Sequence, residues 1–187
     1  MRVIAGEYGS RKLQAVPGNN TRPTTDKIKE NIFNMLGGFF DGGVVLDFYG
    51  GSGALAIEAV SRGFNKAIIC ERYRPAIQTI EKNIEVTRSP EKFKILSGEN
   101  RKGLLKYTDT LSMDLKFNLV FIDPPYAKER IVEDIEWLVA HELLDTNCQI
   151  VCEYDATHSL PDSILHYREN KTKRYGQSMI RIYEEMR

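Results

Sequence analysis

The stretch LDFYGGSGALAIEA, residues 46–59, joins an apolar strand to a helix through a glycine turn. Gly51 and Gly53 allow a tight turn and let a ligand approach the backbone, and the start of a helix offers free N–H groups. The segment GSGALA, which begins at Gly51, fits the dinucleotide fingerprint GxGxxA, and Glu71 ends the next apolar run. An acid at the end of the second strand can bind ribose hydroxyls, so the region predicts a site for an adenosine-containing ligand.

Two adenosine-containing cofactors fit this pattern, a nicotinamide dinucleotide and S-adenosylmethionine. Asp47 stands four residues before Gly51, at the predicted end of the first strand. A carboxylate there is unfavourable beside a pyrophosphate, but it suits a ligand that carries an ammonium and a sulfonium group. Asp47 therefore favours S-adenosylmethionine, although an acid that only braces the loop is the alternative.

Apolar runs and amphipathic stretches alternate along the rest of the chain, which predicts an α/β fold. Strands are expected at 44–48, 66–71, 93–96, 117–123 and 148–154, and helices at 53–62, 74–87, 99–106 and 128–144. Continuous apolar strands indicate a parallel sheet covered on both faces, and right-handed crossovers make it a doubly wound, Rossmann-like sheet. In the expected strand order 3-2-1-4-5, the first and fourth strands are neighbours, and ligands bind beyond their carboxyl ends.

The two ends of the chain depart from this alternation. Residues 1–16 suggest two short strands, and a helix then begins at Thr24 or Thr25. The apolar face of that helix is formed by four residues, Ile28, Ile32, Met35 and Leu36. Near the other end, two strand-like segments flank the turn-like KTKRYGQ (171–177), which predicts a C-terminal antiparallel β-hairpin.

Length and composition fit a single cytoplasmic domain. The chain has 187 residues, enough for one full core, and its 26 basic and 26 acidic side chains balance, so a general binder of polyanions is not indicated. No apolar run is long enough to span a membrane, and we see no signal peptide. The three cysteines form no CxxC pair and the three histidines lack ligand spacing, which argues against a metal site. We expect one domain over 1–187, with an N-terminal extension at 1–40 and a catalytic core at 41–187.

A second motif, FIDPPY at 121–126, ends the predicted fourth strand. Pro124 and Pro125 each fix their own φ and favour an extended residue before them, so the turn is rigid. The Asp123 carboxylate and the Pro124 carbonyl can each accept an N–H of an exocyclic amine on a nucleobase, which draws the nitrogen lone pair out of conjugation. Tyr126 can stack on a base that has been turned out into the pocket. The bland alternative is a strand-ending turn with a surface tyrosine.

Several segments together resemble one family. MRVIAGEYGSRKL at the start, TRPTTDKIKENIFNML (21–36), LDFYGGSGALAIEAVSRG (46–63), FIDPPY and RYGQ are similar to the RsmD family, bacterial 16S ribosomal RNA (guanine-N2)-methyltransferases. The resemblance runs from Met1 to the tail, and it implies transfer of a methyl group from S-adenosylmethionine to the N2 amine of a guanine. The catalytic residues that it implies are Asp123, Pro124, Pro125 and Tyr126. Its implied partner is 16S ribosomal RNA within a small-subunit assembly particle, and we expect a monomer.

Two positions depart from the usual pattern of that family. The loop reads DFYGGSG, with Gly50 where alanine is usual, and Glu99 and Asn100 stand where an Asp-Ala pair is usual. We expect glycine at position 50 to disturb the fit little. Glu99 either accepts a hydrogen bond from the adenine amine or is a solvated acid at a helix start. The residues expected to bind the cofactor are Asp47, Tyr49, Gly51, Ser52, Gly53, Glu71, Glu99 and Asn100.

Residues 1–36 form a candidate RNA-contacting extension, because their six basic and three acidic residues give a net charge of +3 within a neutral chain. Phosphate contacts from lysine and arginine supply much of the affinity of a protein for RNA. Charge alone favours a solvated surface, but the resemblance through RPTTDK implies RNA contact close to the target-base pocket. The residues expected at this contact are Arg11, Lys12, Arg22, Pro23, Thr24 and Lys27.

Three other activities fit parts of the sequence. An adenine-N6 methyltransferase acting on DNA or RNA would share DPPY, but the chain has no room for a separate target-recognition domain. An NAD-dependent oxidoreductase is permitted by the GxGxxA match, yet it leaves DPPY without a role. A non-catalytic RNA-binding module would need neither the glycine turn nor Glu71. The guanine-N2 methyltransferase that the family resemblance implies is the leading hypothesis.

Overall fold

The computed structural model describes residues 1–18, 24–125 and 127–187. The chain divides into two compact units, Met1–Asp114 and Leu115–Arg187. None of the helices within the described ranges is long and apolar enough to cross a membrane. The predicted single domain and its division at residue 40 stay predictions.

The first unit contains most of the predicted alternation. Its elements are α1 (Asp26–Leu36), β1 (Val44–Asp47), α2 (Ala54–Ser61), β2 (Lys66–Glu71), α3 (Arg74–Thr87), β3 (Phe93–Ser97) and α4 (Asn100–Thr108), with a 3₁₀ turn at Pro90–Lys92. The strands are parallel in the order β3-β2-β1. Four consecutive residues of β2, 67–70, are buried, as expected for a parallel strand that is covered on both faces.

The second unit is a mixed sheet with one long helix. Its elements are β4 (Phe117–Ile122), α5 (Ala127–Ala140), β5 (Leu144–Asp155), β6 (Ser163–Ile164), β7 (Tyr167–Tyr175) and β8 (Ser178–Glu185). The strand order is β4-β5-β8-β7-β6, in which β4 and β5 are parallel and the remaining pairs are antiparallel. The predicted α/β class is confirmed, and the orders β3-β2-β1 and β4-β5 are the predicted ones.

The C-terminal hairpin is also confirmed, and its turn lies at the end of the predicted turn-like segment but is shorter than predicted. Most of the segment that looked like a turn is strand, since β7 runs to Tyr175 and only Gly176 and Gln177 connect it to β8. Gly176 has a φ of +59°, which a two-residue hairpin turn requires. The exposed lysine and arginine side chains on this strand give no apolar alternation, so the sequence carried no signal of its length.

The N-terminal segment differs from the predicted pair of strands. Its only bridge in the described part joins Arg2 to Lys12, and no strand is formed. The backbone groups of the intervening loop bind α2 instead. Glu7 N donates to Ser61 O at 2.8 Å, and Tyr8 N donates to Ser61 Oγ at 2.9 Å. The two arms still form backbone hydrogen bonds, since Val3 N donates to Arg11 O and Leu13 N donates to Met1 O, both at 2.9 Å, and the contacts to α2 satisfy the loop between them.

Helix α1 begins after Thr25, whose Oγ1 accepts a hydrogen bond from Ile28 N at 3.2 Å. Thr25 is thus the cap, and Thr24 lies outside the helix. The predicted apolar face is partly wrong, because Met35 is only partly covered whereas Lys29 is buried. The buried residues of the helix are Lys29, Ile32, Phe33 and Leu36.

Lys29 is buried because it belongs to an ion cluster around Glu58 in α2, and both side chains are fully inaccessible to solvent. Lys29 Nζ lies 3.4 Å from Glu58 Oε2, and Arg62 Nε donates to Oε1 at 2.8 Å. The backbone N–H groups of Ile4 and Ala5 donate to the same carboxylate at 2.9 and 3.1 Å. Burial lowers the pKa of Lys29, and the attraction of Glu58 opposes that shift. Lys29 therefore cannot serve as one of the six surface charges counted for RNA contact.

We predict that Glu58→Ala lowers the free energy of unfolding by about 3–5 kcal/mol, because it leaves Lys29 and Arg62 as buried charges without their carboxylate partner. Urea unfolding followed by circular dichroism measures this loss. Glu81→Ala serves as the control, since Glu81 is an exposed helical glutamate and its removal should change stability by less than about 0.5 kcal/mol. Equal stabilities for the two variants would contradict a central role for Glu58.

Candidate functional site

The glycine loop after β1 is held at both of its ends by backbone hydrogen bonds. Gly50 N donates to Cys70 O in β2, and Gly53 N donates to Gly50 O, both at 2.8 Å. Gly51 and Gly53 have φ values of +56° and +78°, a backbone conformation that favours glycine. A Cβ added at Gly51 would meet no atom within 4 Å, so the space beside this residue is open to a ligand.

Glu71 contacts the glycine loop from the end of β2. Its Oε2 atom accepts a hydrogen bond from Gly51 N at 2.9 Å. Its Oε1 atom accepts two more, from Arg72 N and Tyr73 N at 2.8 Å each. Three backbone amides thus orient the carboxylate. Because each carboxylate oxygen offers two acceptor sites, Oε2 can still accept a hydrogen bond from a ligand hydroxyl.

Three acidic side chains converge near the carboxyl ends of the parallel strands of this unit. Burial raises the pKa of the Cys70 thiol, and the negative charges of Asp47, Glu99 and Glu71 raise it further. Asp47 ends β1, Glu71 ends β2 and Glu99 lies two residues after β3, so the parallel topology itself brings the three acids to the same edge. Asp47 is itself buried, with 3% of its surface exposed. Such a cluster attracts a cationic ligand and repels a pyrophosphate.

The start of α4 also contacts this loop. Asn100 Nδ2 donates to Phe48 O at 3.3 Å, which connects the helix to the residue after β1. Glu99 is the cap of α4, since its two carboxylate oxygens accept from Arg101 N and Lys102 N at 3.1 and 2.9 Å. The structure thus gives Glu99 the helix-start role that was one of its two predicted roles.

Tyr49 and Ser52 also lie in the loop, where each has a packing or backbone contact. The ring of Tyr49 packs edge-on against that of Phe48, with 5.6 Å between centroids. The carbonyl of Ser52 accepts a hydrogen bond from Asn83 Nδ2 at 2.9 Å. The side chain of Tyr49 is only partly buried.

Asn83 in α3 is a buried residue that the sequence analysis missed. Besides Ser52, it binds both backbone groups of Gln14: Gln14 N donates to its Oδ1 at 2.7 Å, and its Nδ2 donates to Gln14 O at 2.9 Å. One amide side chain therefore holds the N-terminal segment and the glycine loop together. A lone asparagine within a helix-forming stretch gives no sequence signal, because its partners are distant along the chain.

Gly50 occupies a space that leaves no room for a larger residue. A Cβ added there would lie 2.4 Å from Ile69 Cγ2, and 3.2 Å from both Cys70 O and Ile80 Cδ1. The expectation that this departure disturbs the loop little therefore needs refinement, since Ile69 fills the volume that an alanine methyl group would need. The identities of residues 50 and 69 are coupled through this contact.

The proline motif lies in the second unit. Asp123 directly follows β4 and is exposed, Pro124 is buried, and Pro125 is exposed. Tyr126, predicted to stack on a base, lies outside the described residues. The strand that precedes the motif, β4, is buried almost throughout, so Asp123 directly follows a well-packed strand.

The residues predicted to bind RNA fall into three groups. Lys12 and Lys27 are exposed and Thr24 is partly buried, whereas Arg22 and Pro23 lie outside the described residues.

Arg11 has a structural role, because its guanidinium donates to Val86 O and Thr87 O, at 3.0 and 2.6 Å, at the end of α3. The same guanidinium lies 5.2 Å from the centroid of the Tyr8 ring.

No group of three or more potential metal ligands of the His, Cys, Asp or Glu type occurs among the residues that the structure describes. The first unit carries the glycine loop and its acidic side chains, and the second unit carries the proline turn.

The fold is Rossmann-like, and the similar solved structures place it among the methyltransferase folds. A family model described as "Conserved hypothetical protein 95" matches residues 1–184. The chain is 36% identical to YlbH of Bacillus subtilis (strain 168) over 99% of both chains. It is 30% identical to "Ribosomal RNA small subunit methyltransferase D" of Escherichia coli (strain K12), covering 98% of this chain and 89% of that one. The solved structure of Escherichia coli yhhF has a TM-score of 0.80 and 30% identity, over 99% of this chain and 97% of that one. The chain belongs to the RsmD family.

We predict that Gly50→Ala lowers the free energy of unfolding by about 1–3 kcal/mol, because the new methyl group overlaps Ile69 in a packed interior. Thermal or urea unfolding measures the change. Gly103→Ala is the matched control, since its Cβ would lie at an ordinary 3.7 Å from Leu96 Cβ within α4. Alanine in that helix should stabilise the protein by up to about 1 kcal/mol. If Gly50→Ala proves as stable as Gly103→Ala, the packing argument at position 50 is wrong.

Proposed function

We propose that this protein transfers a methyl group from S-adenosylmethionine to the exocyclic N2 amine of a guanine in small-subunit (16S) ribosomal RNA. The observation that carries the proposal is the set of three acids at the carboxyl ends of β1, β2 and β3 beside an open glycine loop, in a chain of the RsmD family. We propose further that it acts in the cytoplasm as a monomer, on RNA within a small-subunit assembly particle.

The donor set of the first unit fits S-adenosylmethionine better than a dinucleotide. Asp47 is a buried carboxylate at the end of β1, directly before the glycine loop where a pyrophosphate would have to lie, whereas an ammonium and a sulfonium group would be attracted. Glu71 would bind the ribose, and the loop at Gly51 would pack against the ligand without steric hindrance. When bound, S-adenosylmethionine supplies an activated methyl group.

The proline turn provides the groups that an amine acceptor needs. The Asp123 carboxylate and the Pro124 carbonyl each accept an N–H of the guanine amine, so that the nitrogen lone pair is held toward the incoming methyl group. Positive charge that develops on nitrogen is stabilised by the same carboxylate. Tyr126 stacks on the base, which must leave its own stack to reach the turn. These roles rest on the chemistry of the motif and on the family resemblance.

The ribosomal substrate follows from the relatives, because the Escherichia coli relative is named for methylation of small-subunit ribosomal RNA. An adenine-N6 methyltransferase would use the same turn, so the base itself must be identified directly. Mapping methylated nucleotides in ribosomal RNA from cells that lack this protein makes that distinction. Loss of one N2-methylguanine in the small subunit supports the proposal, and loss of an N6-methyladenine instead would replace it.

We predict that Glu71→Ala weakens S-adenosylmethionine binding about ten- to a hundredfold, because it removes a charged acceptor for the ribose hydroxyls. Isothermal calorimetry measures the affinity, with NAD as the ligand that should not bind. Since Glu71 also accepts three backbone N–H groups, Glu71→Gln provides a second variant that preserves the length of the side chain. Unchanged affinity in both variants would remove Glu71 from the cofactor site.

We predict that Asp123→Ala lowers the rate of methyl transfer about a hundred- to a thousandfold while it leaves cofactor affinity and stability nearly unchanged. Asp123 lies beyond the end of its strand and is exposed, so its removal disturbs little packing. Single-turnover transfer with saturating cofactor measures the rate. Asp114→Ala, which removes an exposed acid shortly before the same strand, should transfer at the normal rate.

Asp123→Asn separates two roles for this carboxylate. An asparagine oxygen can still accept one N–H, so a positioning role predicts more activity for asparagine than for alanine. A general base that removes a proton before attack predicts that asparagine and alanine are equally inactive. Near-normal transfer by Asp123→Ala would instead overturn the assignment of the proline turn as the acceptor site.

A further inference from the structure

Strand β7 of the C-terminal hairpin carries a concentration of positive charge that the proposed function leaves without a role. Within residues 168–175 of β7 there are four basic side chains and one acidic one, a net charge of +3 in a chain whose total is zero. The single acid, Glu169, is already engaged, because its Oε1 accepts from Thr172 Oγ1 at 2.7 Å and its Oε2 lies 3.3 Å from Arg181. The positive charge of the strand is therefore not cancelled within the strand itself.

The pairing register shows which of these side chains share a face. Residues that lie directly opposite each other in a sheet point to the same side. Lys171, Lys173 and Tyr175 pair with Ile182, Ile180 and Ser178, which alternate along one face of β8. Lys173 Nζ lies 5.4 Å from the centroid of the Tyr175 ring, and Lys171 and Lys173 are exposed. Two cations and an aromatic ring thus form a row, which we term the basic row (Lys171, Lys173 and Tyr175).

The basic row lies at the same edge of the second unit as Asp123. The register connects Ile122 of β4, through one residue each of β5 and β8, to Thr172 of β7. The strands β4 and β7 run in the same direction, so Asp123 and Lys173 each lie one residue beyond this series of paired residues, toward the carboxyl ends of their strands. Three strand spacings separate them, or about 14 Å. Tyr175 lies two residues farther toward the carboxyl edge.

An exposed lysine on an edge strand has a second explanation, since such residues prevent edge-to-edge association. Beyond Arg168, β7 has only β8 as a partner, so Lys171 and Lys173 do lie on an edge. Edge protection requires charge but no aromatic ring and no particular end of the strand. The stacked Lys173–Tyr175 pair at the Asp123 end has the composition of sites that bind single-stranded nucleic acid, which combine cations with stacking platforms.

We propose that the basic row binds the RNA strand on one side of the target nucleotide, with Lys171 and Lys173 on phosphates and Tyr175 against a base. The proposal rests on the proposed function, because it takes the base at Asp123 to belong to an RNA. A separation of about 14 Å from Asp123 corresponds to a neighbouring segment of the strand rather than to the target base. The hairpin thereby provides an RNA contact that is separate from the N-terminal extension.

The test compares Lys173→Ala with Arg168→Ala. Both substitutions remove one exposed cation from β7, but Arg168 lies at the opposite end of the strand, beside Glu184 in the register. The probes are 16S ribosomal RNA transcribed in vitro and small-subunit particles isolated from cells that lack this protein. Affinity is measured over a series of salt concentrations, together with methyl transfer by the unsubstituted protein and S-adenosylmethionine affinity of every variant.

We expect Lys173→Ala to weaken RNA binding about three- to tenfold and to lower the slope of log affinity against log salt by about 0.7–0.9, the effect of one phosphate contact. Arg168→Ala should leave both quantities unchanged, and S-adenosylmethionine affinity should be the same in all proteins. Tyr175→Phe should bind RNA normally, whereas Tyr175→Ala should bind it more weakly, since stacking requires the ring and not the hydroxyl.

Two results would overturn the inference, and they can be told apart. If the unsubstituted protein methylates the RNA but Lys173→Ala and Tyr175→Ala bind it as tightly as Arg168→Ala, the basic row is only a charged edge and the proposed function stands. If the unsubstituted protein methylates neither the free RNA nor the particles, the proposed function fails, and the role of the row in RNA binding fails with it.

Discussion

The buried carboxylate of Glu58 unites three segments of the first unit. Its oxygens accept hydrogen bonds from the backbone N–H groups of Ile4 and Ala5. It also forms ion pairs with Lys29 of α1 and with Arg62, the C-cap of its own helix. Charges taken out of water cost several kcal/mol each, so such a cluster is favourable only when all its partners are present. The N-terminal extension therefore folds as part of this unit, and its basic residues are divided between the interior and the surface.

The same constraint extends to the glycine loop. The N-terminal segment that Glu58 holds continues to Gln14, both backbone groups of which bind Asn83. Asn83 in turn donates to the carbonyl of Ser52, and Glu71, at the end of the neighbouring strand β2, accepts a hydrogen bond from Gly51. The glycine loop is thus positioned by side chains of α3 and β2 before any ligand arrives, which lowers the entropy cost of binding.

Much of the fold could be predicted from the sequence because it depends on local patterns. Continuous apolar runs indicated the buried strands, and the glycine spacing indicated a turn in which Gly51 and Gly53 do adopt positive φ values. What could not be predicted depends on partners that are distant along the chain. A lysine at position 29 looks exposed until Glu58 is known to face it, and no pattern reveals that Ile69 fills the space beside Gly50.

The burial of the three cysteines gives the chain an internal set of chemical reporters. Burial raises the pKa values of Cys70, Cys148 and Cys152, so each thiol reacts with an alkylating reagent only when the strand around it opens. The carbonyl of Cys70 accepts the hydrogen bond from Gly50, so labelling of this thiol tracks separation of the glycine loop from β2. The other two thiols lie in β5, and their labelling tracks opening of the second unit. Mass spectrometry of alkylated peptides can therefore follow the two units separately, without any engineered probe.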